Sequence, residues 1–339
     1  MKSKIAVNLI CGALGVGKTS LINQLLKQKP THQKWALLVN EFGAVGIDGA
    51  ILSANSKLMV KQLSGGCICC SAQSDFKNAL ESLIEHRPDR LIIEPTGLGE
   101  PDSLADLITR SDLNQHYELQ QIVSVFDASN TSIDELKTLR IFQSLVHMAD
   151  QAIINKIDQA SEQQSQTLLD YLQQCYPPIA KIHLHQHQQT LPDIRLDRVH
   201  QSPGLVFYPQ TLDTAQNTPA PIQFEHNWLI AVDRKIHQAL NHSAIGWVFD
   251  PRHSFDWLQL QTLLNQLNHQ AWSGVKRAKG VFRTGQSWML FQWVNDQLSR
   301  EIISYRKDSR FELILQDDSN FDLPHFEQHL EKCLVEPKS

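Results

Sequence analysis

Eight residues, Gly12-Ala13-Leu14-Gly15-Val16-Gly17-Lys18-Thr19, constrain the fold of this chain more than any other stretch. Residues 5–11 before them form an apolar run that reads as a buried strand, and residues 20–26 after them place apolar side chains at helical spacing. A glycine-rich turn between a buried strand and a helix wraps its backbone N–H groups around phosphate oxygens at a helix N-terminus. That arrangement belongs to a parallel α/β sheet, with the turn at the carboxyl edge of its strands. Gly12, Ala13, Leu14, Gly15, Val16 and Gly17 are the expected cradle, and Ser20 continues the nucleotide contacts into the helix. Lys18 is expected to reach the β- and γ-phosphates as a catalytic cation, and Thr19 to offer a hydroxyl ligand to Mg²⁺.

The strands that follow carry the remaining candidates. Residues 35–40 read as a second buried strand, and Glu41-Phe42-Gly43-Ala44-Val45-Gly46-Ile47-Asp48-Gly49 after it mixes carboxylates with glycines, which suits a loop over the ligand. Asp48 is then a candidate for the Mg²⁺ shell or for orienting the attacking water; a solvated turn is the plainer alternative. Residues 58–63 read as a third strand that ends in Ser64-Gly65-Gly66-Cys67-Ile68-Cys69-Cys70-Ser71. A helix capped by Ser71 or Ser74 and running to about residue 86 would set the three thiols near a positive dipole end, which favours the metal-binding thiolate. The spacing is not that of a structural zinc ribbon and leaves a further ligand to come from elsewhere, so an open, exchangeable site is expected. Small buried hydrophobes are the bland alternative for these cysteines.

Residues 90–94 read as a strand ending in Glu94, before Pro95-Thr96-Gly97-Leu98-Gly99-Glu100-Pro101. Glu94 would hold Mg²⁺ through water and take part in catalysis, and the Gly97 N–H would sense the γ-phosphate. After a strand at residues 121–127, Ala152-Ile153-Ile154-Asn155-Lys156-Ile157-Asp158 supplies an Asn-Lys-x-Asp pattern. Asp158 can accept from the N1–H and exocyclic amine of guanine, and an acceptor left unpaired penalises adenine, so Asn155, Lys156 and Asp158 point to GTP over ATP. A helix near residues 161–174 and a strand near 179–184 complete the sheet. His183, His185 and His187 alternate and would share one face, either as metal ligands or as a polar strand end.

At 339 residues two domains are expected. Pro203, Gly204, Pro209, Pro219 and Pro221 among polar residues mark a linker at 202–221, between an α/β nucleotide domain at 1–201 and a smaller α+β domain at 222–339. In the latter, residues 224–232, 244–249 and 289–294 look strand-like and residues 257–267 helical, and His226, His237, His242 and His253 have no ligand spacing. A net charge of −5 gives no reason to expect nucleic acid or an anionic membrane as a partner. No apolar stretch reaches the roughly 20 residues that span a bilayer. Lys2 and Lys4 before an apolar run resemble a secretory leader, but cleavage there would remove the phosphate loop, so a cytoplasmic protein is expected.

Taken together these motifs resemble the CobW-like family of P-loop GTPases, which includes cobalamin-synthesis proteins, nitrile hydratase activators and zinc metallochaperones. Gly-Cys-Ile-Cys-Cys at residues 66–70 is the most specific match, and Arg277-Ala278-Lys279-Gly280 resembles the marker of the family's carboxy-terminal domain. The resemblance implies a low-turnover GTPase binding Zn²⁺, or a related ion such as Co²⁺, through Cys67, Cys69 and Cys70, with Glu41 as an added oxygen ligand. It also implies delivery of metal to a client metalloprotein. Long histidine tracts found in some members are missing, which favours transfer over storage, and residues 94–101 depart from the family's commoner form. A GTP-dependent interaction switch that matures a metalloenzyme is the competing reading, and a small-molecule kinase a third. Client, physiological metal and oligomeric state have no signal in the sequence.

Overall fold

In the computed structural model the described residues are 3–39, 58–62, 71–95, 101–186, 189–198, 231–239, 242–269, 272–316, 319 and 321–335. The chain divides into two compact units, residues 1–199 and 200–339.

The first unit is a parallel sheet of β1 (Ile5–Cys11), β2 (Trp35–Val39), β3 (Leu58–Gln62), β4 (Arg90–Glu94), β5 (Tyr117–Asp127), β6 (Gln151–Asn155) and β7 (Lys181–Leu184). Their spatial order is β3-β2-β4-β1-β5-β6-β7, and every pairing is parallel. Trp-Ala-Leu-Leu-Val in β2 and Arg-Leu-Ile-Ile-Glu in β4 are buried at every position, as parallel strands covered on both faces must be. The helices α1 (Lys18–Lys27), α2 (Ser71–Ile84), α3 (Pro101–Arg110), α4 (Ile133–Thr138), α5 (Arg140–Met148) and α6 (Glu162–Gln173) provide that cover. Ile22, Leu25 and Leu26 of α1 pack on Ile10, Leu37, Ile92 and Val123. On the opposite face Phe76, Leu80, Ile108, Leu145 and Leu172 meet Val7, Leu9, Leu38 and Ile93. Each fully buried Leu, Ile or Phe contributes about 2 kcal/mol, so both layers clamp the strands and hold their carboxyl ends in register.

That register matters for the site. Val39 lies opposite Gln62 on one side and opposite Glu94 on the other, so β3, β2 and β4 end in one row. β1 pairs β4 through Leu9 and Ile93, which brings the glycine turn off the neighbouring strand of the same edge.

The second unit is an antiparallel sheet, ordered β13-β12-β11-β14-β9-β8. Its strands are β8 (Ala231–Ala239), β9 (His242–Phe249), β11 (Val275–Thr284), β12 (Ser287–Val294), β13 (Gln297–Ile302) and β14 (Ser309–Gln316), with β10 (Ser254–Phe255) and β15 (Leu334–Val335) forming a separate pair. Helices α7 (Trp257–Asn265) and α8 (Leu323–Lys332) bury Leu260, Leu263, Phe326 and Leu330 against Trp247, Phe311 and Leu313. The Arg-Ala-Lys-Gly marker lies in β11. There a Cβ on Gly280 would stand 2.6 Å from the Phe311 ring and 2.9 Å from the Arg310 carbonyl oxygen, so only glycine fits. The strand expected at 224–232 falls mostly outside the described residues, as does the linker at 202–221. Among the described residues no helix is long and apolar enough to cross a membrane.

Candidate nucleotide and metal site

The turn between β1 and α1 adopts the conformation its glycines were expected to allow. Gly12, Gly15 and Gly17 have φ of 147°, 77° and 101°, values that L side chains rarely adopt. Gly12 is also pressed against β5, where a Cβ would meet the Val125 carbonyl oxygen at 2.4 Å, and a Cβ on Gly17 would meet Asn155 Nδ2 at the same distance. Leu14 at the tip is 80% exposed, whereas Val16 is buried. Lys18 is buried at the start of α1, and its Nζ donates to the Ala13 carbonyl at 2.9 Å, folding the ammonium back over the turn. Ser20 is exposed in the first turn of α1. Cys11, beneath the turn, is not a reactive thiol: burial pushes it up to about 12 despite the nearby Lys18 charge.

Thr19 and Glu94 are brought together. The Thr19 hydroxyl donates to Glu94 Oε1 at 3.1 Å, and Glu94 is only 5% exposed at the end of β4. Two hard oxygen donors meeting beside a phosphate cradle fit Mg²⁺, which binds through one or two protein oxygens plus phosphate and water.

The base-reading motif is tied into the same turn. Asn155, at the end of β6, donates from Nδ2 to the Val16 carbonyl at 2.8 Å, and its Oδ1 lies 2.9 Å from His185 Nδ1. Because that oxygen can only accept, His185 carries its proton on Nδ1. Lys156 takes left-handed backbone, φ 60°, and its Nζ pairs with Asp127 Oδ2 at 2.6 Å. Burial alone would raise the Asp127 carboxyl, but hydrogen bonds from Lys156 and Ser129 outweigh it and hold the group below the ordinary carboxylate range. Asp158 is exposed in the short turn after Lys156. A cleft of about 250 Å³ runs beside the turn, lined by Ala13, Leu14, Gly15, Asp127, Thr131 and Lys156 among others.

Sequence reasoning did not single out Asp127, though a carboxylate closing a strand at the same edge was a usable signal. His185 was noted only as one of three alternating histidines. His183 and His185 do share a buried face, where each meets a β6 side chain: His183 Nε2 lies 3.4 Å from Gln151 Oε1. Burial, reinforced by Lys181 and partly offset by Asp193, lowers the His183 value. Among the described residues no group of three His, Cys, Asp or Glu could hold a metal ion. Glu41, Asp48, Cys67, Cys69, Cys70, Gly97 and His187 lie outside the described residues. Their segments attach at the strand ends: residues 40–57 follow the end of β2, residues 63–70 join β3 to the first residue of α2, and residues 96–100 follow β4 by one residue. Cys70 thus directly precedes a 14-residue helix.

Residues 6–183 match the CobW/HypB/UreG nucleotide-binding domain, and residues 244–334 match the cobalamin synthesis protein cobW C-terminal domain. The zinc chaperone YeiR of Escherichia coli (strain K12) is 31% identical over 321 residues, which cover 93% of this chain and 94% of that protein. The zinc chaperone YjiA of the same strain is 33% identical over 165 residues, 47% of this chain and 51% of YjiA. Among solved structures, Zn(II)-bound YjiA GTPase from E. coli is similar over 98% of this chain and 99% of its own, at 20% identity and a TM-score of 0.44; the fold rests on the strand order above and not on that likeness.

Proposed function

Because this chain belongs to the CobW/HypB/UreG family of nucleotide-binding proteins and carries the cobW carboxy-terminal domain, we propose that it is a GTP-hydrolysing metallochaperone. On this reading it loads Zn²⁺ on Cys67, Cys69 and Cys70, with Glu41 as an oxygen ligand, and passes the ion to a client metalloprotein. The observation that carries the reading is the row of strand ends. β3, β2 and β4 stop opposite one another, and the segment bearing the thiols, the segment bearing Glu41 and Asp48, and the segment bearing Gly97 all leave from that row. The phosphate turn leaves from the adjacent strand.

In this mechanism the turn at residues 12–17 binds the phosphates with backbone N–H groups, and Lys18 exchanges its Ala13 carbonyl for phosphate oxygen. Thr19 and Glu94 would hold Mg²⁺, directly and through water, and the ion would supply positive charge to offset that of the phosphates. Asp158 reads guanine, while Asn155 braces the turn against β6 and Lys156 pairs with Asp127. Asp48 orients the attacking water. Residues 1–201 carry this chemistry, and residues 222–339 face the client.

The test is Zn²⁺ affinity by competition with a chelating dye, on wild type and Cys69→Ser, with Mg²⁺ and either GDP or a non-hydrolysable GTP analogue. Tight binding that Cys69→Ser abolishes and that changes several-fold between nucleotides is the expected result. Affinity indifferent to nucleotide would overturn the chaperone mechanism and leave the GTP-dependent interaction switch.

A further inference from the structure

Helix α8 carries a feature the nucleotide site does not use. His325 and His329 are four residues apart and therefore stand on one face of the helix. Their rings lie 4.4 Å apart between centroids, inclined at 80°. Both rest on the indole of buried Trp272, at 5.3 Å and 5.2 Å, so a rigid aromatic floor fixes the pair from beneath. Trp272 is itself held edge-on against Phe326 at 5.6 Å. The helix start is fixed as well, because Asp322 accepts from the His325 backbone N–H at 3.1 Å.

The tautomer of His329 follows from its partner. Its Nδ1 lies 2.9 Å from the His325 carbonyl oxygen, which can only accept, so Nδ1 bears the proton and Nε2 keeps its lone pair. An imidazole that donates one nitrogen to a backbone carbonyl and presents the other is the arrangement metal-binding histidines adopt. His325 is exposed and His329 half-buried, so an ion can reach the pair from solvent.

We propose that His325 and His329 form a second metal site, an open two-imidazole clamp on the carboxy-terminal unit for a divalent ion of the zinc, nickel and copper class. Imidazole pairs select such ions over Mg²⁺ and Ca²⁺, which prefer oxygen. A structural zinc site closes its shell with four protein ligands; this pair leaves coordination positions open to water or to a ligand from another protein. The site therefore binds and releases, and does not hold the fold together. It is not hydrolytic either. In zinc hydrolases a glutamate beside the first histidine of such a pair acts as general base, whereas here the intervening Glu327 is buried, accepting from Trp247 Nε1 at 2.9 Å and pairing with Arg234. The proposal stands independently of nucleotide binding and of the cysteine segment.

The experiment uses full-length, untagged protein and Ni²⁺–nitrilotriacetate, a chelate that leaves adjacent positions open for a pair of imidazoles. Indole N–H signals are followed by NMR, with Trp272 identified through Trp272→Phe. Paramagnetic broadening should strike the Trp272 signal first, persist in Cys69→Ser, and require about tenfold more chelate in His325→Ala and in His329→Ala. Should His329→Ala shift the other indole signals and so disturb the fold, the exposed His325→Gln decides. Broadening that spares Trp272, or that is equal in wild type and His325→Gln, overturns the proposal.

Discussion

The contact most open to quantitative test is the bridge from Val16 through Asn155 to His185. Asn155→Ala removes two hydrogen bonds, of 2.8 Å and 2.9 Å, both between groups of the protein itself. Each neutral bond is worth about 1 kcal/mol net, and stranding the donor of His185, which is 7% exposed, adds about 1–3 kcal/mol. A loss of about 3–5 kcal/mol is therefore expected in the nucleotide-free protein. Because two units can unfold separately, a global midpoint would blur the effect, and native-state hydrogen exchange of the β6 and β7 amides is the suitable assay. His185→Ala should cost a similar amount and be non-additive with Asn155→Ala, since both break one bridge. His185→Asn, whose side-chain amide can replace the Nδ1 donor, should recover part of the loss. A change below about 0.5 kcal/mol in Asn155→Ala without nucleotide would refute the reasoning, because that is the range of surface substitutions that touch nothing. Loss of GDP affinity with exchange unaltered would refute it equally, since the side chain would then act on the base alone.

Gly17→Ala should destabilise the amino-terminal unit by about 1–3 kcal/mol and abolish binding of a fluorescent GDP, because φ 101° is strained for alanine and its Cβ would collide with Asn155 Nδ2. Thr19→Ala and Glu94→Gln should each weaken Mg²⁺-dependent GTP binding while leaving Mg²⁺-free GDP binding near wild type, as read by titration with and without a Mg²⁺ chelator. In the second unit, burial pushes Glu312 up to about 7 against the opposing pull of Arg310, Arg277 and Lys279. Its unfolded form ionises near 4.3, so between about pH 4.5 and 7 the unfolded chain binds fewer protons and stability falls as pH rises, levelling above 7. The loss should be on the order of 3 kcal/mol, and Glu312→Gln should remove the slope from denaturation profiles measured across that window.

The strands of the first unit were legible because parallel strands covered on both faces must be apolar along their length. Residues 35–39, 91–93 and 152–154 are such runs. The glycine turn was legible because its positive φ values leave few other choices of residue. The Asp127–Lys156 pair and the Asn155–His185 bond were not, since their partners meet only once β5, β6 and β7 pair in a particular register. Alternation at His183 and His185 showed that they share a face but not that Gln151 and Asn155 would meet them there. The second unit was harder to read. Edge strand β13 is mostly exposed and carries Ser299, Arg300 and Glu301, so it lacks the apolar alternation that marks a strand. Helix α8 was missed for a related reason, since Pro324, His325, Glu327, Gln328 and His329 mask the buried stripe of Phe326 and Leu330.

On the proposed function, the row of strand ends also bounds how strongly nucleotide and metal can be linked. Neighbouring strands lie about 4.8 Å apart, so the end of β3 at Gln62 and the end of β4 at Glu94 are roughly 10 Å apart across β2. Two unit charges at that separation interact by about 1.7 kcal/mol at an effective dielectric of about 20. Losing one charge of a γ-phosphate beside β4 would thus alter the affinity of a cation held beyond β3 by roughly tenfold or somewhat more for each unit of charge that site gains on binding, with no conformational change at all. That lies within the usual coupling of about 1–3 kcal/mol, and linkage requires the ion to alter the preference for GTP over GDP by the same factor. Because GTP is the more negative nucleotide, the sign from charge alone is fixed: GTP tightens cation binding and hydrolysis loosens it. Measured coupling of the opposite sign would mean that rearrangement of the segments between the strands outweighs electrostatics across the sheet edge.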